Sequence, residues 1–420
     1  MQDSQQPDQG VAPVPAEKRG RIAKMTAVIG GVTLFIGALV TFFDTVRTAF
    51  TSIPENIAVL LGRDTCKPEV RARSFRRIPY SLYYTINSSR GTIPIYWFHL
   101  YVNNECPFDV HAIVKFKAKV GSVPIGSNTY TFSVLKGHPP FDRRLDPGLK
   151  FNSDDPGREV TIEYALYREL QGNGVEDKKT KKIDGDVRPI EVLQKRVFLW
   201  DLEGPEGPVD KKFLLASLSA WTQPQQKRVI QLGKSVVQKV DGKLDPERFA
   251  DQWMEVVVQE LFRQQGGLLI DVIKKKFTGL TSVRTIAMGG DIINAREGDA
   301  LEVALLVGAL ARQHRLEDRG MRLVMYLLPR EDGEGLVDVY LGWGVGKRTT
   351  KAMDVQGLGS GVGLPKNVDS ATRRVRDFME RNPDVPKRLA QNGVFLDLRT
   401  GAAALDFRRA REQYHIRGLP

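Results

Sequence analysis

The chain is 420 residues long, more than one ordinary domain and enough for two or three. Its 62 Lys+Arg against 50 Asp+Glu leave a net charge of +12 thinly spread, and 41% hydrophobic residues exclude both a disordered polymer and a polytopic membrane protein. With 2 cysteines and 5 dispersed histidines there is no disulfide scaffold and no metal cage, so neither a metal nor a cofactor is expected.

Residues 1–16 are rich in Gln, Pro and Asp, have little to bury, and with the basic stretch to 24 form a tail expected to be disordered. An uncharged run from Met25 to Phe43 follows Lys18, Arg19, Arg21 and Lys24. At about 1.5 Å per residue it matches the hydrocarbon thickness of a bilayer, which predicts a single transmembrane helix over 25–43. A cleaved signal peptide would have a shorter apolar core and a small-x-small cleavage site; a buried core helix would carry a polar face. The membrane, reached through 25–43, is therefore the first expected partner, and the cell membrane the expected location. The basic residues before the run keep the N-terminus cytoplasmic and export the rest. Against that orientation, Arg63, Lys67, Arg71, Arg73, Arg76 and Arg77, all in the 44–77 linker, would suit anionic headgroups on the cytoplasmic side. Cys66 and Cys106 either pair, in an oxidising compartment, or remain two structural thiols.

From about 78 to 200 the hydrophobic period is two. Val110, Ala112, Val114, Phe116 and Ala118 alternate with His111, Lys115, Lys117 and Lys119, as a half-buried strand requires. Residues 93–102 are apolar on both faces, like a central strand, and further strands are expected at 129–135, 160–168 and 192–200. Short strands at this spacing predict an immunoglobulin-like antiparallel β-sandwich serving as a binding or spacer module. His99 and His111 fall on strand faces, where packing or solvation is the commoner role.

After Asp201 the texture becomes helical. Asp245-Pro246 is an N-cap followed by a first-turn proline, and Phe249, Trp253, Val256, Val257 and Leu261 then repeat at helical spacing. At 296–311, Asp299 and Glu302 stand three apart before an apolar run, an Asp version of the capping box. Ala300 is then the first helical residue, where unpaired N–H groups and the positive dipole end would lower a thiol's pKa.

This segment resembles the nucleophile helix of the transglutaminase-like, papain-like superfamily, with its Gly-Asp-Cys pattern and buried helix. Val283-Arg284-Thr285-Ile286 and Asp291-Ile292-Ile293 resemble the lead-in, and strands at 322–328 and 336–341 follow in order. The resemblance covers about 212–405, with an insertion near 343–390. It implies a catalytic Cys, His and Asp at Ala300, Glu334 and Asp397; only the last survives. Thiol catalysis needs both a nucleophile and its base, so no such catalysis is expected.

The glycines of 342–363 fail the phosphate-loop spacing, because Leu341 stands where Gly belongs and Arg348 where Ser or Thr belongs. Ser360 misses the nucleophile elbow, with Leu358 and Val362 at its glycine positions. The expected protein is thus a multidomain α+β chain: membrane helix, sandwich over 78–205, and a degenerate transglutaminase-like domain over 206–420. It would act as a membrane-anchored, non-catalytic scaffold for a protein partner. Nucleic acid is not expected as a partner, nor is a small-molecule substrate. The alternative is a residual hydrolase using Asp299, Glu302, Glu334 or Asp397.

Overall fold

The computed structural model describes residues 66–88, 96–149, 157–170, 179–263, 267–273, 284–330, 336–346, 349–358, 364–416 and 419. The chain divides into two compact units: Met1–Pro68, Asn104–Val110 and Leu135–Gly137 make the first, and the remainder makes the second. Within the first unit Cys66 and Cys106 form a disulfide, so the cysteines pair rather than stand free. Asn104 shapes the turn beside it, its amide donating to the Phe108 carbonyl at 2.8 Å and accepting from the Cys106 N–H at 3.0 Å.

The second unit begins with strands β1 (Glu69–Ser74) and β2 (Arg77–Ile78), then helix α1 (Tyr80–Ser88). There follow β3 (Phe98–Asn103), β4 (Val110–Val120), β5 (Val123–Val134), β6 (Phe141–Leu145), β7 (Glu159–Leu170) and β8 (Lys179–Val192). They form two sheets, β1-β3-β6 and β2-β8-β7-β4-β5. The alternation read in β4 is a burial pattern: Val110, Ala112, Val114, Phe116, Ala118 and Val120 point inward. Across the gap the Phe98 ring meets Phe116 at 4.9 Å and Tyr164 at 5.1 Å, which joins the sheets face to face. Burying each such ring contributes about 1.5–3 kcal/mol. The sheets start at Glu69, inside the stretch expected to be linker, and β2 runs parallel to β8, which departs from a purely antiparallel sandwich.

The chain continues through β9 (Val197–Phe198), the ribbon β10 (Glu203–Gly204) and β11 (Gly207–Pro208), then α2 (Lys211–Ser217), α3 (Lys227–Lys239) and α4 (Pro246–Phe262). Asp245 caps α4, accepting from the Arg248 N–H, with Pro246 in the first turn as its chemistry demands. Next come β12 (Asp271–Ile273), β13 (Arg284–Thr285), α5 (Gly289–Ala295), β14 (Glu297–Asp299) and α6 (Ala300–Gln313). β15 (Met321–Pro329), β16 (Val337–Val345), β17 (Lys351–Asp354), α7 (Val355–Leu358), α8 (Leu364–Arg381) and α9 (Val385–Asn392) follow. β18 (Val394–Asp397), β19 (Ala402–Asp406) and α10 (Phe407–Tyr414) close the fold.

β15 to β19 make one antiparallel sheet in the order β17-β16-β15-β19-β18. Tyr326, Leu328, Tyr340, Ala352, Phe395 and Ala404 pack on one of its faces with Ala371, Val375 and Phe378 of α8 and Val385 and Leu389 of α9. α6 touches β16, α3 and α5, and every residue from Ala300 to Ala311 is buried, which is why its sequence lacks a polar face. Within 343–390, the stretch expected as an insertion, residues 343–345 complete β16, and β17 and α8 add an edge strand and a helix layer to this core.

The membrane expectation is corrected. The run 25–43 lies outside the described residues, and among the described residues no helix is long and apolar enough to cross a membrane. The longest of them, α8, carries Lys366, Arg373, Arg374, Arg376 and Arg381, charges that a hydrocarbon core would expel. The single-pass architecture, the anchor through 25–43, the cell-membrane location and the orientation deduced from them are set aside on that finding. The fold is a mixed α/β arrangement of several sheets and helices.

Candidate functional site

The start of α6 is built from three segments. β14 pairs in parallel with β12 and sets Asp299 opposite Ile273, while β13 pairs with β9 and brings in Arg284. Asp299 and Glu302 form the full capping box: the Asp299 carboxylate accepts from the Glu302 N–H at 3.0 Å, and the Glu302 carboxylate accepts from the Asp299 N–H at 2.9 Å. The second Glu302 oxygen accepts from the Ala287 N–H at 2.7 Å. The second Asp299 oxygen takes the Arg284 guanidinium in an ion pair. Both acids are nearly inaccessible, at 2% and 4% exposure. Ala300, 8% exposed, presents a methyl group where the resemblance implies a thiol. The helix end is therefore saturated from within: its dipole faces two carboxylates, whose lone pairs are committed to backbone and to Arg284.

The resemblance names two further positions, Glu334 and Asp397. Glu334 lies outside the described residues. Asp397 ends β18, the edge strand, and accepts from the Arg399 N–H at 2.9 Å and the Thr400 hydroxyl at 2.8 Å. Those bonds, Thr400 foremost, hold its carboxyl below the usual range, as befits a turn-forming Asp. β19 and β15 stand between β18 and β16, so Asp397 is three strand spacings from β16, roughly 14 Å at about 4.8 Å each.

On the other side of β16 from β15 lies β17, which ends in Asp354, in register with Tyr340. Asp354 also sits in a short strand before a turn, yet its sequence neighbourhood carried no stronger signal than that of Asp397. Burial pushes its carboxyl up, Asp338 adds to this, and the Gly357 and Gln356 N–H groups oppose it. Tyr340 is raised to about 12, first by burial and then by Asp338 and Asp354. Arg330 binds Asp338 at 2.6 Å and Gln356 at 3.1 Å. Asn367 of α8 locks β17 by exchanging bonds with the Asp354 backbone N–H and carbonyl, both at 2.9 Å.

Among the described residues no group of three or more His, Cys, Asp or Glu side chains could hold a metal. The histidines serve other ends: His314 accepts from the Trp253 indole at 2.8 Å and donates to the Gly233 carbonyl at 2.9 Å, and burial lowers its pKa. His111 bonds Ser133 at 2.7 Å. No protein-family model matches the chain, and no curated protein and no solved structure matches it either.

Proposed function

We propose that the part of the chain after the sandwich is a non-catalytic binding or scaffold module on a transglutaminase-like framework, serving a protein partner. The observation that carries this reading is the α6 end. A methyl group stands at the nucleophile position, and the adjoining acids are spent on Arg284, Ala287 and each other. Without a thiol there is nothing for a base to activate, and carboxylates at a helix start offset the field that would have lowered a thiol's pKa. The hydrolase alternative is not adopted, because Asp299 and Glu302 face inward and Asp397 ends the far edge strand.

Amine incorporation and peptide hydrolysis by the purified chain test the reading. The expected result is no turnover above buffer. Turnover that disappears in Asp354→Asn or Asp397→Ala would overturn it.

A further inference from the structure

The sandwich carries a second feature, independent of the α6 end. On the outer face of the β1-β3-β6 sheet the register sets Arg73, His99 and Arg144 side by side in one row, and Arg71, Tyr101 and Asp142 in the next. Residues two apart on a strand share a face, so the rows are neighbours. Together with Tyr96, Arg143 and Glu206 they line a cleft of about 730 Å³, within the range of small-molecule sites.

The charges do not cancel. Four arginines line the cleft against two carboxylates, Asp142 and Glu206. Arg144 pairs with Glu206 at 2.5 Å and Arg71 with Glu69 at 2.6 Å. Their guanidinium groups also lie over rings, Arg144 above Tyr96 at 5.0 Å and Arg71 above Tyr101 at 5.5 Å. Asp142 is taken by His99 at 2.5 Å. Arg73 and Arg143 have no ion pair with a carboxylate among the described residues; the Arg143 side chain donates only to the Asp142 carbonyl, at 3.4 Å. Gathering like charges on one sheet face costs stability, and the ion pairs of the cleft offset it at Arg71 and Arg144 but not at Arg73 and Arg143.

We propose that this cleft binds a phosphoryl dianion. A phosphate group carries about −1.5 to −2 charge at neutral pH, enough to answer Arg73 and Arg143, the two arginines without a carboxylate partner among the described residues, and offers three acceptor oxygens to the arginine forks. Arg71 and Arg144, held by ring and carboxylate, are oriented donors at the edges; Arg73 and Arg143 supply the uncompensated charge. A single carboxylate would leave part of that charge unbalanced, and citrate, although more highly charged, spreads its oxygens over three planar groups and offers the forks no single tetrahedral cluster. A nucleic-acid strand would want a basic stripe without the acids of this rim. The proposal rests on the sandwich alone, so its failure leaves the reading of the α6 end untouched.

Calorimetric titration of the full chain at low ionic strength tests it, with phenyl phosphate as probe and inorganic phosphate and citrate in parallel. The expected result is saturable one-to-one binding of a phosphate probe, with citrate weaker. Phenyl phosphate binding more tightly than phosphate would identify a phosphomonoester ligand; equal affinities would identify free phosphate. Arg73→Ala and Arg143→Ala should each weaken binding about tenfold, the scale of one charge-assisted hydrogen bond. Arg73→Lys should fall between, keeping the charge and losing the fork. Both side chains are exposed, so unchanged thermal unfolding will certify the variants. Absence of saturable binding at millimolar phosphate and phenyl phosphate overturns the proposal. So does affinity unmoved in the double variant, or tighter binding of citrate or of an oligonucleotide lacking terminal phosphates.

Discussion

Arg284 matters to the α6 end in a way that its own sequence neighbourhood conceals. It closes an ion pair with Asp299, whose carboxylate is 3% exposed, while the guanidinium side chain is 16% exposed. A charge so placed is tolerated only while it is paired and hydrogen-bonded. Arg284→Ala should therefore cost about 3–5 kcal/mol, the usual penalty for orphaning a buried partner. Adding Asp299→Asn should restore a good part of it, because Asn still caps the helix and brings no charge. Urea unfolding of the full chain measures both. A loss below about 1 kcal/mol in the single variant would show that the pair does not hold this end together. The capping box itself was legible, since Asp and Glu three apart before an apolar run have few other uses. Its saturation by Arg284 and by the Ala287 N–H was not, for both come from outside the helix.

At the scale of elements, local signals are legible in the sequence and strand pairings are not. Asp245-Pro246 and the alternation of 110–118 work through neighbouring residues, and the structure contains the helix and the strand that they specify. The sheet order depends on β19 lying against β15, Val324 opposite Asp406, and no local pattern encodes a contact so distant in the chain. That single pairing moves Asp397 to the far edge and leaves Asp354 beside β16. Likewise α8 looks like part of an insertion because of the glycines before it, although Ala371, Val375 and Phe378 already mark its buried stripe. Asp354 supplies a prediction about pH. Its folded pKa is raised above the ordinary 3.8, so the folded state binds the proton more tightly than the unfolded state. The group's contribution is complete at low pH, declines as pH climbs from about 4 through the folded value, and is then constant at its least favourable. Asp354→Asn has no such decline. Thermal or urea unfolding at several pH values should show the variant gaining on the parent chain as pH rises from 4 to 7; a gap that shrinks with pH would reverse the assignment.

For the molecule as a whole, the instructive feature is where its second unit can be divided. The change of texture at Asp201 and the glycines and prolines that follow suggest a boundary near 205, and the packing argues against cutting there. Leu193 still belongs to the sandwich, its N–H bonded to the Ile78 carbonyl at 2.9 Å. Three residues later the chain serves the other side: the Arg196 carbonyl accepts from the Ile286 N–H at 2.7 Å, and its guanidinium pairs with Asp291 at 2.9 Å. β9 pairs with β13, the strand that presents Arg284, and the Phe198 ring meets Trp221 at 6.0 Å. Phe198, Leu199, Trp200 and Leu202 are all buried. At about 1.5–3 kcal/mol for each such side chain, removing them forfeits on the order of 6 kcal/mol or more, a large share of the roughly 5–15 kcal/mol that keeps a domain folded. A fragment of residues 194–420 should therefore melt cooperatively and give a dispersed amide spectrum. One of residues 206–420 should melt far lower or aggregate, since β13 loses its partner and Trp221 its cover. Equal melting of the two fragments would mean that β9 merely rests on the helical part; a wide gap would make the segment after Leu193 part of the framework that holds Arg284 against Asp299.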